Sequence, residues 1–380
     1  MSWKQCGADK RHRGRYGINI KNWTTEDMRT VITGATGAIG HALIVECIRH
    51  SMEVAAICHR GSAKADRLAD EVSKMLYVDL VDENPEHISW MDECEKTTFK
   101  DVKSYVNRKL HIYFMNLDEY AAFTESACPI GCEKLLDDVR KGAGYDLFFH
   151  LAWNGTTGNS RNDESLQQDN LKYALDAVEL AHKLLCHTFI GAGSQAEYGR
   201  VEGRLRADTP AHPENEYGRA KLEAGIQTRE LCKDLSIKHI WPRILSVYGP
   251  YDTATSMIMG AIAALKKGEA PQFTKGEQQW DYLYSADAAK AMLAAALHGK
   301  DGSIYPIGSG EVHPLAEYIE ILRQQVDSEG TISLGAMPYA PKQVMYLCAD
   351  ISQLSEDTGF KPETKFTQGI QQILKVQKLE

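Results

Sequence analysis

The stretch that decides the fold is Thr33-Gly34-Ala35-Thr36-Gly37-Ala38-Ile39-Gly40, in which glycine recurs at every third position. It follows the short apolar run Val31-Ile32 and precedes a helix-like stretch over residues 41–49. A strand, a glycine-rich turn and a helix in this order bind phosphate, because backbone N–H groups at the helix start face the anion and side chains would obstruct its approach. The spacing is Gly-x-x-Gly-x-x-Gly rather than the more general Gly-x-Gly-x-x-Gly. The stretch therefore predicts the start of a dinucleotide-binding fold.

Further apolar runs outline a sheet. We predict strands over residues 29–33, 54–58, 145–151, 187–191 and 239–247. Alternating strands and helices with glycine-marked turns imply an α/β fold, a Rossmann-type doubly wound parallel sheet with a smaller C-terminal substrate-binding portion. Strand three has two candidates, 75–80 and 111–117, and we prefer the second.

The chain divides at the ends of these patterns. Residues 1–28 carry the basic run Lys10-Arg11-His12-Arg13-Gly14-Arg15 with little apolar content, and we predict a solvated, disordered tail. Residues 29–249 form the predicted NAD(P)-binding domain, with an insertion at about 63–109. Residues 250–380 form mainly the substrate-binding portion, with 304–308 returning to the sheet.

Bulk properties exclude several classes of function. A formal net charge of −9 over 380 residues argues against a nucleic-acid-binding surface. The nine cysteines show no metal-ligand spacing, so we predict no metal site and read all of them as free thiols of a reducing compartment. The sequence shows neither a signal peptide nor an apolar run of membrane length, which predicts a cytoplasmic protein without a membrane partner.

A second motif carries chemistry. Tyr217 and Lys221 lie four residues apart in a helix-like stretch, so their side chains share a face. A lysine near a tyrosine favours the phenolate and lowers a pKa that is ordinarily about 10. Such a tyrosine can exchange a proton with an alcohol near neutral pH. Ser194 follows the apolar run Thr188-Phe189-Ile190 at the carboxyl end of a predicted strand, where it could donate a hydrogen bond to the reacting oxygen.

Together these residues resemble the extended short-chain dehydrogenase/reductase family, the group of nucleotide-sugar epimerases, dehydratases and reductases. The resemblance runs from about Arg29 to the C-terminus. It implies that Tyr217, Lys221 and Ser194 are catalytic. Asn170, which falls where the family has a helix asparagine near the active site, is the fourth catalytic candidate. It also implies a nucleotide-sugar substrate and a homodimer as the candidate assembly.

The resemblance implies a set of cofactor contacts. The predicted contacts are Gly34, Thr36, Gly37, Ala38, Ile39 and Gly40 in the turn, His59, Arg60 and Ser62 after strand two, Asn116 near the adenine, Leu151 and Ala152 beside the nicotinamide, and Tyr217 with Lys221. NAD-preferring sites hold a carboxylate at the end of strand two. Here Arg60 could instead pair with a 2′-phosphate, or stack over the adenine. We favour NADP(H) over NAD.

Two residues that are absent after Ser194 reduce the number of candidate reactions. Family dehydratases have Asp-Glu where this chain has Gln195 and Ala196, so a dehydratase is disfavoured. A 4-ketoreductase of a nucleotide-linked 4-keto-6-deoxy sugar and a nucleotide-sugar 4-epimerase remain, and Arg60 favours the reductase. A non-catalytic NADP-sensing regulator is the alternative from another class.

Substrate contacts are predicted where the chain keeps or departs from the family pattern. The candidates are Trp153, Asn154, Gln195, Arg243, Ser246 and Trp280. Trp280 stands where many family members carry a diphosphate-binding arginine, and Ser246 stands where the epimerases have an asparagine. Arg243 could supply a positive charge to the substrate or form a structural ion pair.

Overall fold

A computed structural model of the chain describes residues 25, 28–82, 98–124 and 127–380. The disorder predicted for 1–28 therefore concerns residues that, apart from Thr25 and Met28, lie outside the described part.

The described residues alternate strands and helices along most of the chain. The strands are β1 (Arg29–Thr33), β2 (Glu53–Cys58), β3 (Leu110–Phe114), β4 (Leu147–His150), β5 (Thr188–Gly191), β6 (Gly193–Ser194), β7 (Lys238–Ile244), β8 (Ser246–Tyr248), β9 (Gln279–Trp280), β10 (Tyr282–Tyr284), β11 (Ser303–Ile307), β12 (His313–Pro314) and β13 (Tyr346–Leu347). The helices are α1 (Ala38–Arg49), α2 (Leu68–Asp82), α3 (Phe99–Lys109), α4 (Glu133–Arg140), α5 (Glu164–Lys183), α6 (Glu216–Asp234), α7 (Met257–Lys266), α8 (Ser285–His298), α9 (Leu315–Val326), α10 (Ser352–Thr358) and α11 (Phe366–Gln377).

The central sheet is parallel, with the strand order β11-β7-β5-β4-β1-β2-β3 and β6 beside β7. The order reverses between β1 and β4, which is the switch point where ligands of doubly wound sheets bind. Neighbouring side chains of β1 point to opposite faces. Ile32 belongs to the core with α1 and α8, and Val31 to the core with α4 and α5. This arrangement confirms the predicted α/β Rossmann-type fold.

Strand three confirms the preferred alternative, since β3 begins at Leu110 and pairs with β2. The other candidate, 75–80, lies in α2. Leu68, Val72, Met75 and Leu76 are buried there, and their spacing of four, seven and eight residues is that of a helix face. The described parts of the predicted insertion form a short turn (Ala65–Arg67), α2 and α3, and residues 83–97 lie outside the described part.

The strand predicted over 239–247 is interrupted. Leu245 donates its backbone N–H to Ile307 O at 2.9 Å, which is the last bond of the parallel β7–β11 ladder. The following β8 pairs with β10 instead of the central sheet. β11 pairs in parallel with β7, so residues 303–307 lie in the central sheet although they follow the β8–β10 unit. The division into 29–249 and 250–380 stays a prediction.

Candidate active site

Helix α6 carries Tyr217 in its first turn. Asn215 caps the helix by accepting a hydrogen bond from Gly218 N at 2.8 Å. A Cβ atom on Gly218 would lie 2.4 Å from Ala196 O, so only glycine permits this close approach. The helix start is thereby held against the Ser194 segment, and the hydroxyl of Ser194 faces the Tyr217 phenol and acts to lower its pKa. The structure thus brings together two of the four residues predicted to be catalytic.

The fully buried carboxylate of Glu197 fixes the position of the Ser194 segment, residues 193–197. This carboxylate accepts hydrogen bonds from Ser194 N at 2.8 Å, Trp241 Nε1 at 3.1 Å and Arg243 Nε at 2.6 Å. Arg243, predicted as a substrate contact, is 4 % exposed and also stacks on the Tyr198 ring. The structure therefore places Arg243 in the structural ion pair, which was the alternative interpretation, because its charge is already compensated.

Lys221 lies on the same face of α6 but points past the phenol. Its Nζ donates a hydrogen bond to Ala192 O at 2.6 Å, lies 3.6 Å from the Trp153 ring centroid and 5.9 Å from that of Tyr217. Burial lowers the pKa of Lys221 from its ordinary 10.5 to about 7, and the charge of Glu197 opposes this only in part.

The pKa of Tyr217 is raised, contrary to the lowering predicted from Lys221. Burial of the phenol is the largest cause, and the Ser194 hydrogen bond and the charge of Arg161 oppose it. The prediction was wrong for this state of the protein because it counted charge attraction and left out desolvation, which acts on every group in a closed site.

The segment after β4 forms one wall of the site. Asn170, predicted to be catalytic, accepts a hydrogen bond from Asn154 N and donates to Asn154 O, both at 2.9 Å. Both ends of its amide therefore hold the backbone of this wall, and Asn170 is a positioning residue here. Trp153 is anchored by Gln167 through its indole N–H at 2.8 Å and meets the Tyr217 ring edge to face. Asn154 itself is exposed.

The predicted phosphate-binding turn, which follows β1, contacts the wall that follows β4. Helix α1 begins at Ala38, after the exposed Gly37. A Cβ atom on Gly34 would lie 2.6 Å from Ala152 N, so the turn packs directly on the end of β4. The N–H groups of the first helical turn, including those of Ile39 and Gly40, are available to an anion. Thr36, Leu151 and Ala152 are partly exposed beside this turn.

A carboxylate that the sequence analysis missed lies beside the end of β2. It belongs to Glu119, which follows β3 and pairs with Arg60. Arg60 donates its backbone N–H to Asn116 Oδ1 at 3.0 Å, and its Nε lies 2.9 Å from Glu119 Oε2. Glu119 in turn accepts from Asn116 N at 2.6 Å, which makes Asn116 the cap of the turn Leu117–Ala122. The pattern Asn-x-x-Glu is a capping-box signature and could have identified Glu119. His59 is exposed and Ser62 is partly exposed nearby.

Trp280 and Ser246 contact each other. The indole N–H of Trp280 donates to Ser246 Oγ at 2.9 Å, and both side chains are partly buried. Trp280 also packs on the cluster that contains Leu205 and Leu347. Gln195 begins the turn Gln195–Glu197 and is partly exposed at the edge of the site. The structure thus leaves some accessible surface on three of the predicted substrate contacts, Trp280, Ser246 and Gln195. None of the three carries a positive charge.

Among the residues that the structure describes, no three His, Cys, Asp or Glu side chains are grouped as a metal site would require. Seven cysteines in the described ranges are free thiols. None of the described helices combines the length and apolar character needed to span a membrane.

Residues 115–308, about half of the chain, match the family model "NAD dependent epimerase/dehydratase family". The chain belongs to this family. It is therefore an enzyme of the short-chain dehydrogenase/reductase type, within the group of nucleotide-sugar epimerases, dehydratases and reductases. The resemblance drawn from the motifs is confirmed.

Several characterised proteins are similar to this chain. A dTDP-glucose 4,6-dehydratase of Streptomyces niveus is 22% identical over 63% of this chain and 71% of its own length. A GDP-6-deoxy-D-mannose reductase of Pseudomonas aeruginosa is 27% identical over 60% of this chain and 79% of its own. The structure of a UDP-N-acetylglucosamine 4-epimerase from Methanobrevibacter ruminantium M1 superimposes with a TM-score of 0.70 at 21% identity, covering 93% of this chain and 99% of the other.

The buried ammonium of Lys221 predicts a pH-dependent change in stability. The folded-state pKa lies below the ordinary value, so the unfolded chain binds more protons between about pH 7 and 10.5 and wild-type stability rises through that window. Lys221→Met should raise the free energy of unfolding most below pH 7. From the two pKa values, this gain should shrink by about 3 kcal/mol between pH 6 and pH 9.

Urea unfolding of both proteins at the two pH values measures this difference. Lys233→Met, at an exposed position of the same helix, is the matched control and should show no such trend. A gain that stays constant from pH 6 to pH 9 would contradict a charge-dependent origin.

Proposed function

We propose that this enzyme is a 4-ketoreductase acting on a nucleotide-linked 4-keto-6-deoxy sugar. The observation that carries the proposal is the buried pair of Tyr217 and Ser194, followed by Gln195 and Ala196. The pair offers a phenol and a hydroxyl to one oxygen atom of a substrate. Neither Gln195 nor Ala196 can remove or deliver a proton, which argues against the loss of water that a dehydratase requires.

In the proposed reaction Tyr217 donates its proton to the C4 oxygen of the sugar, and Ser194 donates a hydrogen bond to the same oxygen. The nicotinamide cofactor supplies the hydride that reduces C4. Burial favours this direction, because a tyrosine with a raised pKa is protonated near neutral pH and is ready to donate. Lys221 would contact the cofactor ribose, and Asn170 would act through the loop that it holds.

The cofactor would lie across the switch point between β1 and β4. We propose that the N–H groups from Ala38 to Gly40 bind its pyrophosphate, since they begin helix α1. Gly37 would lie beside the pyrophosphate, and its own N–H donates to Gly34 O. Asn116 would lie near the adenine, and Leu151 with Ala152 beside the nicotinamide. A preference for NADP(H) stays a prediction based on Arg60. Glu119 opposes that preference, because its carboxylate pairs with Arg60 and would repel a 2′-phosphate.

A 4-epimerase is the second candidate, and the Arg60–Glu119 pair is the observation that favours it. An epimerase takes back the hydride that it removes, so it needs no external NADPH and suits a site that holds NAD. The proposed substrate contacts are Trp153, Asn154, Gln195, Ser246 and Trp280. A homodimer and a cytoplasmic location also stay proposals.

Tyr217→Phe should lower kcat about a thousandfold on the correct substrate, because loss of a positioned general acid typically costs two to four orders of magnitude. The measurement is NADPH or NADH consumption with a panel of nucleotide-linked 4-keto-6-deoxy sugars, alongside an epimerisation assay on nucleotide sugars. Tyr305→Phe, which removes a hydroxyl bonded to Asp357 outside the site, is the control. Equal turnover by wild type and Tyr217→Phe would overturn the assignment of Tyr217. Epimerisation with retained NAD and no net cofactor consumption would replace the reductase with the epimerase.

Glu119→Gln should shift cofactor preference towards NADPH. The substitution removes the carboxylate that compensates Arg60, so the guanidinium becomes available to a 2′-phosphate. We expect the ratio of kcat/KM for NADPH to that for NADH to rise about tenfold, which corresponds to about 1.4 kcal/mol. Glu269→Gln, at an exposed carboxylate after α7, serves as the control. An unchanged ratio would show that Arg60 does not face the ribose.

A further inference from the structure

A second cation lies against Tyr217, and the sequence motifs do not include it. Arg161 belongs to the turn Gly158–Asn162 in the wall after β4. Its Cζ lies 4.2 Å from the centroid of the Tyr217 ring. One guanidinium N–H donates to Thr156 O at 3.1 Å. Within the described ranges no carboxylate forms an ion pair with Arg161, so its charge is directed at the phenol without local compensation.

Lys221 does not occupy the equivalent place. Its ammonium is hydrogen-bonded to Ala192 O and covers the ring of Trp153, and it lies farther from the Tyr217 ring than Arg161 does. Burial also brings its pKa to about 7, so it is largely uncharged above that pH. A guanidinium stays protonated at every pH at which proteins fold. Of the two cations, Arg161 is the one with a permanent charge.

The other polar groups that face Tyr217 do not substitute for Arg161. Ser194 contributes a neutral hydrogen bond, and the negative charge of Glu197 disfavours the phenolate. The carboxylate of Glu197 is itself paired with Arg243. An opposite charge within about 4–6 Å typically moves a pKa by one to three units. The Cζ atom of Arg161 lies 4.2 Å from the centroid of the ring, over which the charge of a phenolate is partly delocalised.

We propose that Arg161 is a positioning residue whose guanidinium stabilises the phenolate of Tyr217, the role that the family resemblance assigns to Lys221. The inference rests on the proposed function in so far as Tyr217 transfers the proton. When the phenol gives up its proton to the sugar oxygen, the negative charge that remains lies under the guanidinium. Because Arg161 comes from the wall after β4, this stabilisation depends on the conformation of the segment that Asn170 holds.

The first experiment measures the ionisation of position 217 directly. A fluorinated tyrosine, which ionises at lower pH than tyrosine, is placed at position 217 of the full chain and titrated by fluorine NMR. In the Arg161→Met background we expect the pKa of this phenol to rise by about one unit or more. Arg161→Lys should give a smaller rise, because it keeps a charge but not the planar stacking.

The matched control is Arg219→Met. Arg219 lies two residues from Tyr217 on α6, but its guanidinium is paired with Glu216 at 2.7 Å and is exposed. The phenol should titrate in this variant as in the wild type. An equal pKa in wild type and Arg161→Met would overturn the proposal. So would an equal rise in Arg161→Met and Arg161→Lys, since that result indicates altered packing rather than lost charge.

The second experiment separates charge stabilisation from substrate binding. The pH dependence of kcat is recorded for wild type, Arg161→Met and Arg161→Lys on the substrate found in the panel above. We expect the alkaline limb to move upwards by the same amount as the NMR titration, with Arg161→Lys in between. A rise in KM with an unmoved limb would overturn the proposal and identify Arg161 as a contact for an anionic group of the substrate. Failure of the proposed function can be distinguished from failure of the proposal for Arg161, because the NMR titration needs neither substrate nor turnover.

Discussion

The buried ion pair between Glu197 and Arg243 is the interaction on which the active-site geometry depends. The carboxylate of Glu197 accepts hydrogen bonds from the backbone of Ser194, the indole of Trp241 and the guanidinium of Arg243. Removing one partner of such a pair typically costs about 3–5 kcal/mol, because the other charge stays buried and uncompensated. The hydroxyl that meets the Tyr217 phenol is therefore positioned by a charge on the far side of the segment.

Burial then sets the protonation states within the site. Desolvation raises the pKa of Tyr217 and lowers that of Lys221, so both groups tend towards their neutral forms near neutral pH. A neutral phenol is a proton donor, which suits reduction of a ketone better than oxidation of an alcohol. Arg161 is itself only partly buried, but the Tyr217 residue that it covers is 8 % exposed, so water screens their contact less than it would on an open surface. A guanidinium on the face of the tyrosine ring can therefore affect the ionisation of the phenol.

Most of the fold and part of the site could be predicted from the sequence. The glycine turn and the Tyr217–Lys221 spacing are local patterns, so periodicity and propensity were sufficient for them. Glu119 and Glu197 meet their arginine partners across 59 and 46 residues, and no local rule supplies such pairs. The interruption before β8 reflects a change of partner to β10, whose Tyr282 pairs with Ser246 from a distant part of the sequence. Charge pairing and desolvation arise only once the chain has folded.

The position of β3 at the edge of the central sheet has a consequence for how this chain can change over evolution. The segment between β2 and β3 leaves and re-enters the sheet at its rim, with α2 lying beside α1 and α11. Residues can be gained or lost there without displacing a paired strand. Since Arg60 and Asn116 bound this segment, its length and composition offer a route to altered cofactor selectivity that leaves the tyrosine, the serine and their supporting charges untouched.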